Sequence, residues 1–304
     1  MTKRDYLTVD SLSSDELLKV LDIADGLKAD RRRRDDLAGM SIGMIFEKPS
    51  TRTRVSFEVG IAELGGHAVI LNASELQLGR GETVEDTARV LSRYLHALVV
   101  RTFAQSRLET LASAGSIPVI NALSDFTHPC QALADLQTIR EHRGSLAGLK
   151  LAYLGDGNNV AHSLLKAGAM AGMRVSVATP AGYEPIPQVV EIATDLAEQT
   201  GGAVACTNDP LEAAAGADVV YTDVWASMGQ EGEASARTML FRPFQVNGHV
   251  MDAARPDALV MHCLPAHRDE EITAEVIDGP NSVVFDQAEN RLHSQKALLL
   301  FLLT

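Results

Sequence analysis

The sequence predicts an α/β protein of two doubly wound parallel-sheet domains. Short apolar runs alternate with amphipathic stretches along the chain, which is the rhythm of βαβ units. About ten such runs are present, too many for one comfortable open sheet, so they divide between two. The length of 304 residues, at roughly 150 residues per domain, leaves room for two domains.

The elements follow in order. Ser13-Ser14-Asp15-Glu16 has the spacing of a capping box and starts the first helix. Residues 41–46 (SIGMIF) form an apolar run fit for a buried strand. A helix follows from about Thr51 and stops at Gly65-Gly66. Residues 67–71 read as a strand, 83–94 as a helix, and 97–100 and 117–120 as strands, with a helix after His128. Charge and glycine then interrupt the pattern between Arg140 and Gly148, so the domains are set at 1–140 and 148–286. Beyond the join, 149–154, 174–178, 204–206, 219–222, 259–261 and 283–285 read as strands, with helical patterns between most of them. A last helix, 287–304, closes the chain.

Composition excludes several classes of function. The 27 Lys and Arg against 40 Asp and Glu give a net charge of −13, the opposite of a nucleic-acid binder's basic footprint. The one basic run, Arg31 to Arg34, is flanked by Asp30, Asp35 and Asp36 and reads as a solvated loop. The longest apolar run, 297–303, is far short of a membrane span, and the first residues lack the apolar core of a secretory signal. A cytoplasmic protein with no membrane partner is expected. The three cysteines, Cys130, Cys206 and Cys263, form no Cys-x-x-Cys pair, so neither a disulfide framework nor a thiolate zinc site is expected.

In open parallel sheets ligands bind beyond the carboxyl ends of the strands, so candidate residues are sought there. The first strand runs into Glu47-Lys48-Pro49-Ser50-Thr51-Arg52-Thr53-Arg54. Ser50 fits an N-cap, and the N–H groups of Thr51, Arg52 and Thr53 would point at whatever lies above the helix start. Hydroxyls on Ser50, Thr51 and Thr53 and guanidiniums on Arg52 and Arg54 add donors shaped for phosphate oxygens. An ordinary capped helix does not need that density. The two arginines are two apart and leave the helix on different sides, one free to hold phosphate while the other braces the loop. No Gly-x-x-x-x-Gly-Lys string occurs, so the phosphate belongs to a small molecule.

Gly155-Asp156-Gly157-Asn158-Asn159-Val160 begins like a dinucleotide fingerprint, but Val160 stands where the third glycine belongs. The next strand ends in Ala178-Thr179-Pro180, without the acid that would hold a ribose. A nicotinamide cofactor is therefore not expected. The turn still places Asn159 at a sheet edge, where its amide meets a small polar ligand. Arg101 ends another strand. His128-Pro129-Cys130-Gln131 opens a helix with proline at its favoured first position, and His128 and Gln131 beside an arginine suit polarising a carbonyl. Asp223 follows a strand and would attract a cationic amine, or take a proton from it. His262-Cys263-Leu264-Pro265 follows another. Zinc on His262, Cys263 and His267 lacks a fourth ligand, so a non-metal role is preferred. Cys263 would act on a substrate amine, or its carbonyl would accept from one.

Together these strings resemble the aspartate/ornithine carbamoyltransferase family over essentially the whole chain. The signature Phe-x-Lys-x-Ser-x-Arg-Thr-Arg is complete at Phe46 to Arg54, and His-Pro-x-Gln at His128 to Gln131. Asp223 with Ser227-Met228-Gly229, and His262-Cys263-Leu264-Pro265, look like the ornithine branch. The resemblance implies that domain 1–140, completed by the helix 287–304, binds carbamoyl phosphate, and that domain 148–286 binds ornithine. It assigns carbamoyl phosphate to Ser50, Thr51, Arg52, Thr53, Gln77, Arg101, His128, Gln131, Cys263, Leu264 and Arg291. It assigns ornithine to Asn159, Asp223, Ser227 and Met228, and catalysis to Asp223, Cys263, Arg101 and His128. The implied reaction gives L-citrulline and phosphate, in arginine biosynthesis or degradation, without metal or organic cofactor, in a homotrimer or a multiple of trimers. The nearest rivals transfer the same group to putrescine, N-acetylornithine or aspartate.

Overall fold

The computed structural model describes residues 3–72, 81–225 and 234–304. The chain falls into two compact units, Met1–Ala134 with Asn290–Thr304, and Asp135–Glu289. Each unit is built on a parallel sheet flanked by helices.

Unit 1 carries β1 (Ser41–Phe46), β2 (His67–Asn72), β3 (Ala97–Arg101) and β4 (Val119–Leu123), in the order β2-β1-β3-β4. Its helices are α1 (Ser14–Ala29), α2 (Thr51–Glu63), α3 (Val84–Leu91) and α4 (Gln105–Ala114), with the first turns of α5 (Pro129–Arg143) and most of α12 (Val284–Leu303). α1 starts in the predicted capping box: Ser13 Oγ accepts from the Glu16 N–H at 3.3 Å, and the Glu16 carboxylate accepts from the Ser13 N–H at 2.8 Å. α2 ends where Gly65 turns into the left-handed region at φ +80°, which costs glycine no Cβ clash. Thr83 caps α3 through its hydroxyl, so that helix is shorter than the predicted 83–94. Leu98, Val99 and Val100 of β3 are all buried, as expected of a parallel strand covered on both faces.

Unit 2 carries β5 (Lys150–Leu154), β6 (Arg174–Ala178), β7 (Ala203–Thr207), β8 (Val219–Thr222) and β9 (Leu259–His262), in the order β7-β6-β5-β8-β9. The helices α6 (Asn159–Met170), α7 (Pro187–Thr200), α8 (Pro210–Ala214), α9 (Ala234–Phe241), α10 (Gly248–Ala253) and α11 (Ala274–Ile277) lie between or after these strands. Its core gathers Leu154, Val220, Phe244, Val246, Val260 and Ile272. One expected strand is corrected. Val284 begins α12 instead of continuing a strand over 283–285, and beside β9 only an isolated bridge forms, Ser282 to Val260.

Both orders reverse direction once, between β1 and β3 and between β5 and β8. Adjacent loops leave in opposite directions at such a switch point and open a crevice there. At or just beyond the carboxyl ends of β1, β3, β5 and β8 stand Ser50–Thr53, Arg101, Asn158–Asn159 and Asp223. Among the described residues, no helix is long and apolar enough to cross a membrane.

Candidate active site

In unit 1 the start of α2 lies beyond β1. Ser50 occupies the N-cap position with extended backbone, but its side chain makes no capping bond, which corrects the expected hydroxyl cap. The first-turn N–H groups, which have no intrahelical acceptors, therefore lack that local partner too. No acidic residue occupies this turn, so the positive end of the helix dipole is not offset. Arg54 pairs with Glu58 at 3.7 Å along the helix, while Arg52 is exposed. One arginine thus braces the helix and the other faces solvent at its start.

Thr53 is fully buried, and its hydroxyl oxygen joins two guanidiniums. It accepts from Arg291 Nη2 at 2.6 Å and from Arg101 Nη1 at 3.5 Å. Arg291 Nη1 donates to Gln131 Oε1 at 3.1 Å, bringing α12 and the start of α5 to the same place. Pro129 takes the first helical position of α5, as predicted. Burial drives the His128 imidazole well below the usual histidine range, and the charges of Arg291 and Arg101 add to the effect. His128 is therefore a neutral ring at physiological pH. Burial also pushes the Cys130 thiol up to about 12, which makes it inert packing.

Sequence reading missed the braces of this half. Glu47 pairs with Arg107 and accepts from the Thr102 hydroxyl, and its N–H donates to the Arg101 carbonyl at 2.9 Å. Lys48 pairs with Asp125 and lies 4.2 Å from the centre of the Phe103 ring. These contacts tie the chain after β1 to the ends of β3 and β4.

In unit 2 the Cys263 thiol donates to Asp223 Oδ1 at 3.0 Å. Asp223 Oδ2 accepts from Asn158 Nδ2 at 3.2 Å. Asn158 Oδ1 caps α6, accepting from the N–H groups of Val160 at 2.9 Å and Ala161 at 3.3 Å. Asn158, which the sequence reading passed over in favour of Asn159, thus links the glycine turn to the carboxylate, and Asn159 is the first residue of α6.

His262 is fixed in one tautomer by its bonds. Its Nδ1 accepts from the Leu264 N–H at 2.9 Å, so Nε2 carries the proton and donates to Glu271 Oε1 at 3.1 Å. The His262 N–H donates to Gln287 Oε1 at 3.0 Å, and Gln287 Nε2 donates to Asp135 at 2.7 Å and to the Tyr221 hydroxyl at 3.0 Å. This buried network holds the corner where Leu264 turns to φ +55°, a region few non-glycine residues adopt. Ligand atoms of Asp223, His262 and Cys263 lie within 4.8 Å of one another. Because both His262 nitrogens are engaged, a cation there would have to break one of these bonds. Gln77, Ser227 and Met228 lie outside the described residues.

Each half therefore gathers residues far apart in sequence into one small polar cluster. The unit 1 cluster is cationic around a helix start and fits an oxyanion. The unit 2 cluster presents a carboxylate and a thiol and fits an amine.

Known proteins share this plan. The family model "Aspartate/ornithine carbamoyltransferase, carbamoyl-P binding domain" matches residues 4–141, and that of the Asp/Orn binding domain matches 147–302. The ornithine carbamoyltransferase of Parafrankia sp. (strain EAN1pec) is 64% identical, with 100% of this chain and 97% of that protein covered. That of Acidothermus cellulolyticus is 60% identical, with 99% and 96% covered. The solved ornithine carbamoyltransferase from Pyrococcus furiosus superposes with a TM-score of 0.96 at 54% identity, over 99% of this chain and 97% of that one.

Proposed function

Since the chain belongs to the aspartate/ornithine carbamoyltransferase family, we propose that it transfers the carbamoyl group of carbamoyl phosphate to the side-chain amine of L-ornithine. The products are L-citrulline and phosphate. The observation that carries the choice of amine is the Asp223 carboxylate accepting from Cys263. It offers an ammonium a counter-charge, where an aspartate substrate would need cations.

In unit 1, Ser50, Thr51 and Thr53 with Arg52, Arg101 and Gln77 hold the phosphate. The exposed Arg52 at an uncompensated helix start supports this reading. Arg101, the Thr53 hydroxyl and neutral His128 draw charge onto the carbonyl oxygen as the carbon becomes tetrahedral. Arg291 and Gln131, already bonded to each other, orient the carbamoyl group with the Cys263 and Leu264 carbonyls. Asn159, Asp223, Ser227 and Met228 hold ornithine. The deprotonated amine forms the new C–N bond, and the C–O bond to phosphate breaks with its electron pair leaving on phosphate. A carboxylate is a far weaker base than an amine, so Asp223 mainly orients the nitrogen while the leaving phosphate takes the proton. Much of the acceleration comes from placing two small reactants together.

The three free cysteines suit a reducing cytoplasm. Assembly as a homotrimer, or a multiple of trimers, suits the exposed Val55, Val59 and Tyr94 of unit 1. The reaction serves arginine biosynthesis or degradation, since both use the same step.

The test is product formation from carbamoyl phosphate with ornithine, aspartate, putrescine or N-acetylornithine offered separately. Citrulline from ornithine alone is expected. Product from another amine instead would overturn the reading of unit 2 while leaving that of unit 1.

A further inference from the structure

The turn Gly155-Asp156-Gly157 is not accounted for by substrate contacts, although it stands at the switch point between β5 and β8. Gly157 is needed for packing: a Cβ there would come inside 3.0 Å of the backbone of Tyr183, Glu184 and Pro185. Asp156 has another partner. Its carboxylate pairs with the Arg237 guanidinium, and both side chains are largely buried. Arg237 also donates from Nε to the Trp225 carbonyl at 2.6 Å. The guanidinium lies 4.8 Å from the centre of the Tyr183 ring and 5.1 Å from that of Phe241. One side chain therefore ties the glycine turn after β5 to the backbone two residues beyond Asp223, against an aromatic wall.

The two strands joined in this way carry the amine-binding cluster. Asn158, two residues beyond Asp156, caps α6 and donates to Asp223. We propose that Asp156 and Arg237 are positioning residues for the amino-acid substrate: their pair fixes the spacing between the Gly155–Asn159 turn and the Asp223–Trp225 backbone. This inference rests on the assignment of ornithine to unit 2.

Burial outweighs the pairing with Arg237, and Asp223 adds repulsion, so the Asp156 carboxyl is raised to about 6. A group raised in the folded state contributes stability that is present below its unfolded value near 4 and lost as pH rises through about 6. Asparagine would keep the size of the side chain but leave the buried Arg237 guanidinium without its counter-charge. The charge does what asparagine cannot, which is to hold the guanidinium in a charge-assisted grip. The groups that act on Asp156 are Arg237, Asp223, the N–H of Gly157 and the buried Tyr153 phenol.

The test uses full-length Asp156→Asn, Arg237→Gln and Arg237→Lys, with ornithine varied at saturating carbamoyl phosphate. Carbamoyl phosphate binding is measured separately by calorimetry. Arg237→Gln should raise the ornithine KM at least tenfold, Asp156→Asn several-fold, and carbamoyl phosphate affinity should stay within twofold. Arg237→Lys keeps the charge but has no planar fork, so it should fall between wild type and Arg237→Gln. In the wild type the ornithine KM should rise as pH falls through about 6. The ratio of the Asp156→Asn KM to the wild-type KM should shrink over the same range. An unchanged ornithine KM in Asp156→Asn and Arg237→Gln would overturn the proposal. So would parallel losses of ornithine binding, carbamoyl phosphate binding and melting midpoint, the mark of a merely structural pair. If Arg237→Gln does not fold, Asp156→Asn decides alone. Wild-type enzyme that makes no citrulline would instead overturn the ornithine assignment itself.

Discussion

At Asp223 the two oxygens have different partners, the Cys263 thiol on one and the Asn158 amide on the other. Both are neutral donors, so neither supplies the counter-charge that an incoming ammonium would bring. Removing the thiol in Cys263→Ala should free one oxygen without moving the other. The expected result is a kcat lower by about a hundredfold, on the scale of a reacting nitrogen that is less well aimed, with carbamoyl phosphate binding unchanged. A kcat equal to wild type would remove Cys263 from the chemistry. His128 makes a second prediction through pH. Its folded value lies well below the ordinary 6.5, so the folded state favours the neutral ring. The stability this contributes is fully present above 6.5 and is lost as pH falls below it. Urea midpoints at pH 7.5 and 5.5 should therefore differ less in His128→Gln than in wild type. Thr53 and Gln131 were legible because their strings are dense in unusual side chains, Arg101 for its place at a strand end and Arg291 only through the family resemblance, and geometry does bring those four together. Asn158, Glu271 and Gln287 were not legible. Asn158 and Asp223 are 65 residues apart, and only the sheet order makes them neighbours.

Among the elements, the parallel strands were the easiest to read, because a strand buried on both faces is a continuous apolar run. The same rule misled at 283–285. A short apolar run does not distinguish a buried strand from the first turn of a buried helix, and here Val284 opens α12. The position of α12 follows from its polar residues. Lys296 Nζ is buried and reaches Glu63 Oε2 of α2 at 2.7 Å, and the Ser56 hydroxyl donates to Gln295 Oε1 at 2.6 Å. These anchors present Arg291 to Thr53, so the last helix of the chain works as part of unit 1. In unit 2 Gly157 lies close against the backbone of the segment before α7, with no room for a Cβ. Backbone there has no rotamer to change, so Gly157→Ala must push the two segments apart. The expected loss is about 2–3 kcal/mol, at the upper end of ordinary overpacking, measured by denaturant midpoint. A loss under about 0.5 kcal/mol would mean that the turn yields freely.

For the whole molecule the net charge of −13 opposes a phosphate-bearing substrate at long range. Binding must therefore depend on the local field of the α2 start, Arg52, Arg101 and Arg291, and that local origin makes it testable through folding. A ligand that binds only the folded chain stabilises it by mass action, by about 2.7 kcal/mol at a hundredfold excess over Kd. Freshly dissolved carbamoyl phosphate should raise the melting midpoint of the wild type accordingly. Arg52 is exposed and has no ion-pair partner among the described residues, so Arg52→Ala should leave the unliganded midpoint within the small range of ordinary surface substitutions. In that variant the ligand-dependent shift should disappear. Ornithine added alone should shift both proteins equally, because its proposed cluster is built from unit 2. A full carbamoyl phosphate shift in Arg52→Ala would transfer the phosphate site from the α2 start to Arg101 and Arg291. Loss of the ornithine response as well would show that the two halves bind as one.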